Sequence, residues 1–430
     1  MTTDPRAIAL VDGEHYPSVI RAALAELPYD VVAAVLVGGT EKLRSGSPEL
    51  GVPLVESLEQ ALQTYGPELV VDLSDEPVLS PPARLALVGR ALALGVPVEG
   101  PDFRFEPPVF HPVKVPSLAV IGTGKRVGKT AVTGMVVRTL ARALRVVVVA
   151  MGRGGPEQPE LVEVAPTVES LLALSRLGRH AASDHLELAA LAGVPTVGCR
   201  RCGGGLAGAP GVSNVLEGAQ LALSLDPDLV LFDGSGAALP PVAADRRVLV
   251  VGAHQDRAVS TGYLNGYRAL ISDAILVTMA ELPGSAELAS TLGEVARPGT
   301  PVLRTMLRPA PHESVAGERV AYFGTAPDAA HAGIAAHLRD RFDARVAHVS
   351  GALADRRRLA EELALLDVET FVVEVKAAAV DVVLETADQR GVRVVLAAND
   401  VIPLDGGPDL VELVERLGHE LVGAQRMALR

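Results

Sequence analysis

Nine residues, Gly122-Thr123-Gly124-Lys125-Arg126-Val127-Gly128-Lys129-Thr130, constrain this chain more than any other stretch. The aliphatic run Leu118-Ala119-Val120-Ile121 precedes them, and helical periodicity from Ala131 to Ala143 follows. Strand, glycine-rich turn and helix in that order are the parts of a P-loop. Glycines let backbone N–H groups close around phosphate oxygens, and the helix N-terminus adds positive potential. Lys129 is expected to reach the β and γ phosphates of ATP, and Thr130 to offer its hydroxyl to Mg²⁺. Position 123 is Thr where the G-x-x-x-x-G-K-[ST] spacing has Gly. The bland alternative is a tight turn before an ordinary helix.

A strand feeding such a loop belongs to a parallel sheet covered by helices on both faces. Composition agrees: 49% of the 430 residues are apolar, only 3% are aromatic, and Trp is absent. The cores are therefore aliphatic, and a base-stacking surface is excluded as the main theme. The formal charge of −13 argues against a general nucleic-acid or anionic-membrane binder. Apolar runs such as Val146–Met151 are far shorter than a membrane span, and Met1–Leu10 has no leader-like apolar segment. The two cysteines, Cys199 and Cys202, cannot build a disulfide framework. A cytoplasmic protein is the expectation.

At about 150 residues per domain, the length implies three domains. Strand-like runs at Ala7–Val11, Val31–Val37 and Leu69–Leu73 alternate with helical periodicity at Val19–Leu27, Ser57–Thr64 and Pro82–Leu94. A proline-rich connector spans 101–116, and Arg308-Pro309-Ala310-Pro311 marks a second break. Beyond it come strands at Val320–Phe323, Arg345–Val349, Phe371–Val375 and Val392–Ala397. The expected class is α/β. A P-loop domain with a mostly parallel sheet (116–312) is flanked by Rossmann-like α/β domains (1–115 and 313–430).

Asp233 ends the apolar run 229–232 ahead of Gly234. It is the candidate carboxylate for Mg²⁺; the plainer reading is a helix cap. Arg153 stands between glycines at the end of a strand, placed for an anion. Arg176, Arg179, His180, Asp184 and His185 follow, then Cys199-Arg200-Arg201-Cys202-Gly203-Gly204-Gly205. Arg forks bind phosphate bidentately, so these residues are read as a focused anion pocket in an acidic chain. Arg176 and Arg179 could equally form a solvated helix face. Zinc at C-R-R-C would need further ligands, and no second Cys pair exists. Lys376 follows the apolar run 371–375 and is one of only five lysines.

The loop 122–130 resembles that of dethiobiotin synthetase and related dimer-forming P-loop enzymes. The chain as a whole resembles the cyclic 2,3-diphosphoglycerate synthetase family. The similar strings include V-D-G-E-H-Y-P (11–17), V-G-G-T-E-K-L (37–43), D-L-S-D-E-P-V (72–78), G-T-G-K-R-V-G-K-T (122–130), M-G-R-G-G-P (151–156), G-R-H-A-A-S-D (178–184), G-C-R-R-C-G-G-G (198–205) and V-K-A-A-A-V-D-V (375–382). Asp233 departs from the Glu expected in much of the family.

The resemblance implies an ATP-dependent ligase that closes 2,3-diphosphoglycerate into its cyclic phosphoanhydride, with release of ADP and phosphate. It implies catalytic roles for Lys125, Lys129, Arg153 and Lys376, and nucleotide contacts along 122–130. It further implies substrate contacts at Arg153, Arg179, His180, Asp184, Arg200, Arg201, Gly203, Gly204 and Lys376, and metal contacts at Thr130 and Asp233. The expected partner is a small phosphoester, with no nucleic acid and no membrane, and a homodimer is implied. Two alternatives are another P-loop ligase or kinase acting on a small polyanion, and a nucleotide-switched regulatory protein.

Overall fold

The computed structural model describes residues 4–43, 48–178, 183–375, 379–404 and 409–428. The chain begins with β1 (Arg6–Val11), α1 (Pro17–Glu26), β2 (Asp30–Leu36), β3 (Leu54–Val55), α2 (Leu58–Tyr65), β4 (Leu69–Asp72), α3 (Pro81–Ala93), β5 (Val98–Gly100) and β6 (Phe103–Phe105). It continues with β7 (Ser117–Gly122), α4 (Lys129–Leu140), β8 (Val146–Gly152), β9 (Glu160–Val162), α5 (Val168–Arg176), α6 (Asp184–Ala192), β10 (Thr196–Cys202), β11 (Val212–Ser213), α7 (Val215–Leu223) and β12 (Leu229–Asp233). Next come β13 (Arg246–Gly252), α8 (Arg257–Thr261), α9 (Asn265–Leu270), β14 (Ala274–Thr278), α10 (Ser285–Val295) and β15 (Val302–Pro311). The last part holds β16 (Arg319–Phe323), α11 (His331–Phe342), β17 (Arg345–Ser350), α12 (Arg356–Leu365), β18 (Thr370–Glu374), α13 (Val380–Arg390), β19 (Arg393–Pro403) and α14 (Leu410–Ala428).

The structure has two compact units. The first comprises 1–109 with 257–271 and 294–298. Its sheet runs β3-β2-β1-β4-β5-β6, all parallel except β6, which is antiparallel to β5. Phe103–Phe105 is thus a strand within the stretch expected to be pure connector. Strands β1 and β4 carry alanine and branched residues buried on both faces, as a helix-covered parallel sheet requires. The strand order reverses between β1 and β4, where Rossmann-type sheets open a crevice. There the buried Asp12 carboxylate accepts the N–H groups of Glu14 (3.0 Å) and Asp75 (2.7 Å) and meets His15 Nδ1 at 2.8 Å. Burial works against its ionisation, but these partners outweigh it and hold the carboxyl below its usual range. These strand-end residues interlock with one another within the unit.

The second unit comprises 110–256, 272–293 and 299–430. One sheet runs through it in the order β11-β10-β8-β12-β7-β13-β14-β15-β19-β18-β16-β17, with β9 on β10. The seven strands β10-β8-β12-β7-β13-β14-β15 are parallel to one another. Aliphatic side chains of α4, α6 and α14 pack on one face of it. The expected break at 308–311 is instead part of β15. Residues 302–304 pair with β14, while 305–311 pair antiparallel with β19. Pro309 and Pro311 are tolerated because that half of the strand has a partner on one side only. The boundary expected at 312 therefore falls inside one continuous sheet.

This register has a consequence for the site. Strands β16 to β19 run against the P-loop strands but are displaced along β15. The carboxyl ends of the two sets consequently point toward each other. No helix among the described residues is long and apolar enough to cross a membrane.

Candidate active site

A cavity of about 510 Å³ lies at this meeting of strand ends. One wall is Gly124–Thr130, the turn between β7 and α4. Arg126 (φ 60°) and Gly128 (φ 80°) both take left-handed backbone, curling the loop into the concave nest that suits anions. At Gly128 a Cβ would also lie 2.6 Å from the tip of the Leu307 side chain, which would have to shift, so the positive φ is what calls for glycine. Gly122 and Thr123 do not line the cavity. The Thr123 hydroxyl turns away and donates to Gln255 Oε1 at 2.6 Å, which holds the loop where a glycine would leave it slack.

Lys129 Nζ lies 2.6 Å from Asp233 Oδ2, with Asp233 almost fully buried. Thr133, one turn along α4, donates to Asp233 Oδ1 at 2.6 Å. The lysine that should serve phosphate is thus parked on the carboxylate that should serve metal. Thr130, the next residue of α4, also lines the cavity.

Two guanidinium groups come from neighbouring strands. Arg153 follows β8, and Arg201 lies on β10, which pairs with β8. Around Gly236 (φ 60°), an added Cβ would stand 3.2 Å from Arg153, 3.7 Å from Arg201 and 4.0 Å from the Lys125 stem. Two guanidinium groups and the stem of a lysine, from three separate elements, therefore border one point. Burial pushes the Arg201 pKa down, and the Arg153 charge pushes it the same way. Asp184, at the start of α6, also lines the cavity, its carboxylate 2.7 Å from where a Cβ on Gly152 would be. Burial raises its pKa, while the Lys129 ammonium pulls it back.

Of the residues expected from sequence, Gly124 to Thr130, Arg153 and Asp184 line the cavity, with Arg201 and Asp233 directly behind it. Arg200 does not: it is exposed, and its N–H donates to Asn214 at 2.7 Å. Gly203 and Gly204 do not line it either. The Gly203 carbonyl accepts from Arg201 at 2.8 Å, so this glycine helps to fix an arginine. Arg179, His180 and Lys376 lie outside the described residues. Sequence reading missed Ser183, Glu187, Ser235, Gly236, Thr325 and Ala354, all of which line the cavity. Ser183 and Gly236 sat next to residues already singled out. Thr325 and Ala354 follow β16 and precede α12, and nothing local marks them.

Three positions apart on β10, Cys199 and Cys202 point to opposite faces. Cys199 is buried and Cys202 exposed. No group of three metal-binding side chains occurs among the described residues. Burial pushes the Cys199 thiol up to about 12, and the Glu217 charge adds to this. One thiol per chain is therefore expected to react with an aromatic disulfide reagent in the native state, and two after denaturation. Two fast thiols in the native protein would contradict this geometry.

Three family models match in chain order. They are the N-terminal domain (6–106), the P-loop domain (117–295) and the C-terminal domain (311–400) of cyclic 2,3-diphosphoglycerate synthetase. The protein of that name from Rubrobacter xylanophilus is 49% identical over 424 residues, covering 93% of this chain and 96% of that one. Its namesake from Thermococcus gammatolerans is 43% identical, covering 97% and 98%. The namesake from Methanothermobacter thermautotrophicus is 38% identical, covering 95% and 96%. Among solved structures, LpxK from Aquifex aeolicus in complex with ATP aligns with a TM-score of 0.43 at 15% identity, covering 73% of this chain and 90% of that one. With all three domain models matched in order and relatives similar along nearly the whole length, the chain belongs to the cyclic 2,3-diphosphoglycerate synthetase family.

Proposed function

We propose that this protein closes 2,3-diphosphoglycerate into cyclic 2,3-diphosphoglycerate at the expense of ATP. One observation carries the reading: in a chain of net charge −13, Lys125, Arg126, Lys129, Arg153 and Arg201 gather at a single cavity beside a P-loop. A molecule with two phosphates and a carboxylate is held only where such density of positive charge exists.

The reaction balances as two transfers. An oxygen of one substrate phosphate takes the γ-phosphoryl group and ADP leaves. An oxygen of the other substrate phosphate then attacks the first phosphorus, and the added phosphoryl group departs as inorganic phosphate. The residues need supply no covalent intermediate, only alignment and charge neutralisation. Gly124 to Thr130 cradle the nucleotide phosphates. Lys129 leaves Asp233 and moves onto the β and γ phosphates. Lys125, Arg153 and Arg201 draw the two substrate phosphates together against their repulsion. Arg179, His180, Asp184 and Lys376 are proposed as further substrate contacts on the family likeness, with Gly203 and Gly204 shaping the loop that fixes Arg201.

Thr130 and Asp233 fit Mg²⁺. They offer hard oxygen donors, and this ion takes few protein ligands when phosphates and waters complete its shell. When bound, it would neutralise charge on the β and γ phosphates. The segments 1–115, 116–312 and 313–430 are proposed as functional divisions, the third reaching the nucleotide cavity through Thr325 and Ala354. A homodimer is proposed on the likeness to dimer-forming P-loop enzymes, and a cytoplasmic location on the two free thiols.

The test is phosphorus NMR of the protein with ATP, Mg²⁺ and 2,3-diphosphoglycerate. ADP, inorganic phosphate and a new internal phosphoanhydride resonance are expected together. ATP binding with no such resonance would refute the substrate.

A further inference from the structure

Ser183 is the N-cap of the nine-residue α6, yet its hydroxyl caps nothing. The residue is only 8% exposed, and its Oγ has no hydrogen-bond partner. N-cap serines ordinarily bond an N–H of the first turn, and a buried hydroxyl left unpaired costs stability. Arg201 shows the same deficit from the donor side. Its Nη1 donates to the Gly203 carbonyl at 2.8 Å and its Nη2 to the Ser235 carbonyl at 2.9 Å, while Nε is buried without an acceptor. Two backbone carbonyls thus lock the guanidinium in place before any ligand arrives. Arg153, itself exposed, brings a second guanidinium to the same corner, and the two like charges repel until an anion stands between them.

We infer that Ser183, Arg201, Arg153 and the N-terminus of α6 form a second anion site beside the P-loop, built for a phosphate monoester of the co-substrate. The inference rests on the function proposed above and adds to it a place for the substrate phosphate that is not bonded to the nucleotide. None of its donors belongs to the P-loop nest, so the two sites fill independently. Helix N-termini favour anions through their unbonded N–H groups and dipole. Asp184 and Glu187 stand on the same wall of the cavity. A carboxylate ligand would meet them with no donor of its own, whereas a hydrogen phosphate carries an O–H that either can accept. The site therefore selects phosphate over carboxylate. Ser183 and Gly154 also border a smaller cavity of about 220 Å³, which leaves room for the carbon skeleton.

The experiment is calorimetric titration of the full chain saturated with ADP and Mg²⁺, using inorganic phosphate and 2,3-diphosphoglycerate in separate runs. The proteins are wild type, Ser183→Ala and Arg201→Gln. Wild type is expected to bind both anions. Each substitution should weaken both by about tenfold or more, with ADP affinity within about twofold of wild type as the check on folding. Unchanged anion binding in the two variants would overturn the site, as would equal losses for ADP and anion. Phosphate binding that responds to the substitutions, with no 2,3-diphosphoglycerate binding, would support the site and refute the substrate. Failure of wild type to bind either anion would overturn both.

Discussion

Lys129→Ala is expected to lower turnover by about 10³-fold or more, with the fold retained. The lysine is the first residue of α4, in the turn proposed to cradle the nucleotide phosphates. On the proposed mechanism its ammonium neutralises charge that grows on the β–γ bridge as the γ-phosphoryl leaves. Removal also strips the buried Asp233 of its ion partner. Losing one member of a buried pair is costly, but here the cavity admits water and Thr133 still donates to the carboxylate. The stability cost should therefore stay near 1–3 kcal/mol. Steady-state assay of ADP release, beside a thermal unfolding scan, checks both halves. Wild-type turnover in a folded variant would refute the P-loop reading, whatever the substrate.

Asp233→Asn should separate two properties that usually move together. In the structure the carboxylate holds the Lys129 ammonium at 2.6 Å from Oδ2, so on the proposed reading phosphate would have to compete for it. Without Mg²⁺, the neutral amide frees the lysine, and ATP should bind as tightly as to wild type or more tightly. With Mg²⁺, the lost anionic ligand should cut turnover by about two to three orders of magnitude and raise the Mg²⁺ concentration needed for half-maximal rate. Fluorescent-nucleotide binding with and without metal, set beside the assay, reads the split. An unaltered Mg²⁺ requirement would remove Asp233 from the metal site. The family's expected Glu would reach one methylene further, so Asp233→Glu is the natural control.

Much of this was legible in the chain because the relevant physics is local. A run such as 118–121 followed by glycines and a helix places backbone N–H groups at a helix N-terminus, where they suit an anion. The alternation of β1, β2 and β4 with α1, α2 and α3 in the first unit was equally plain, since each of these carries its own period, whereas the two-residue β3 was not. Long-range pairing was not legible. Pro309 and Pro311 read as a break, yet they sit in a strand that is open on one side. Only the partner β19, nearly a hundred residues later, shows this. Thr325 and Ala354 were invisible for the same reason, as their place in the cavity depends on how far β16 to β19 are displaced along β15. Arg200 and Arg201 looked equivalent, but strand alternation sends one to solvent and the other to the Ser235 carbonyl.

The sequence by itself determined the aliphatic parallel sheets, the phosphate-binding turn and the acidic balance, because composition, periodicity and short-range turn chemistry specify these; the family came from the likeness of whole strings along the chain. The tertiary structure alone decided which charges act together. It placed Lys129 on Asp233, brought Arg153, Arg201 and Lys125 around Gly236, and left Ser183 and the Arg201 Nε unpaired beside the same cavity. Electrostatic interaction depends on separation and burial, not on order along the chain. Those two quantities exist only once the strand ends have been brought face to face.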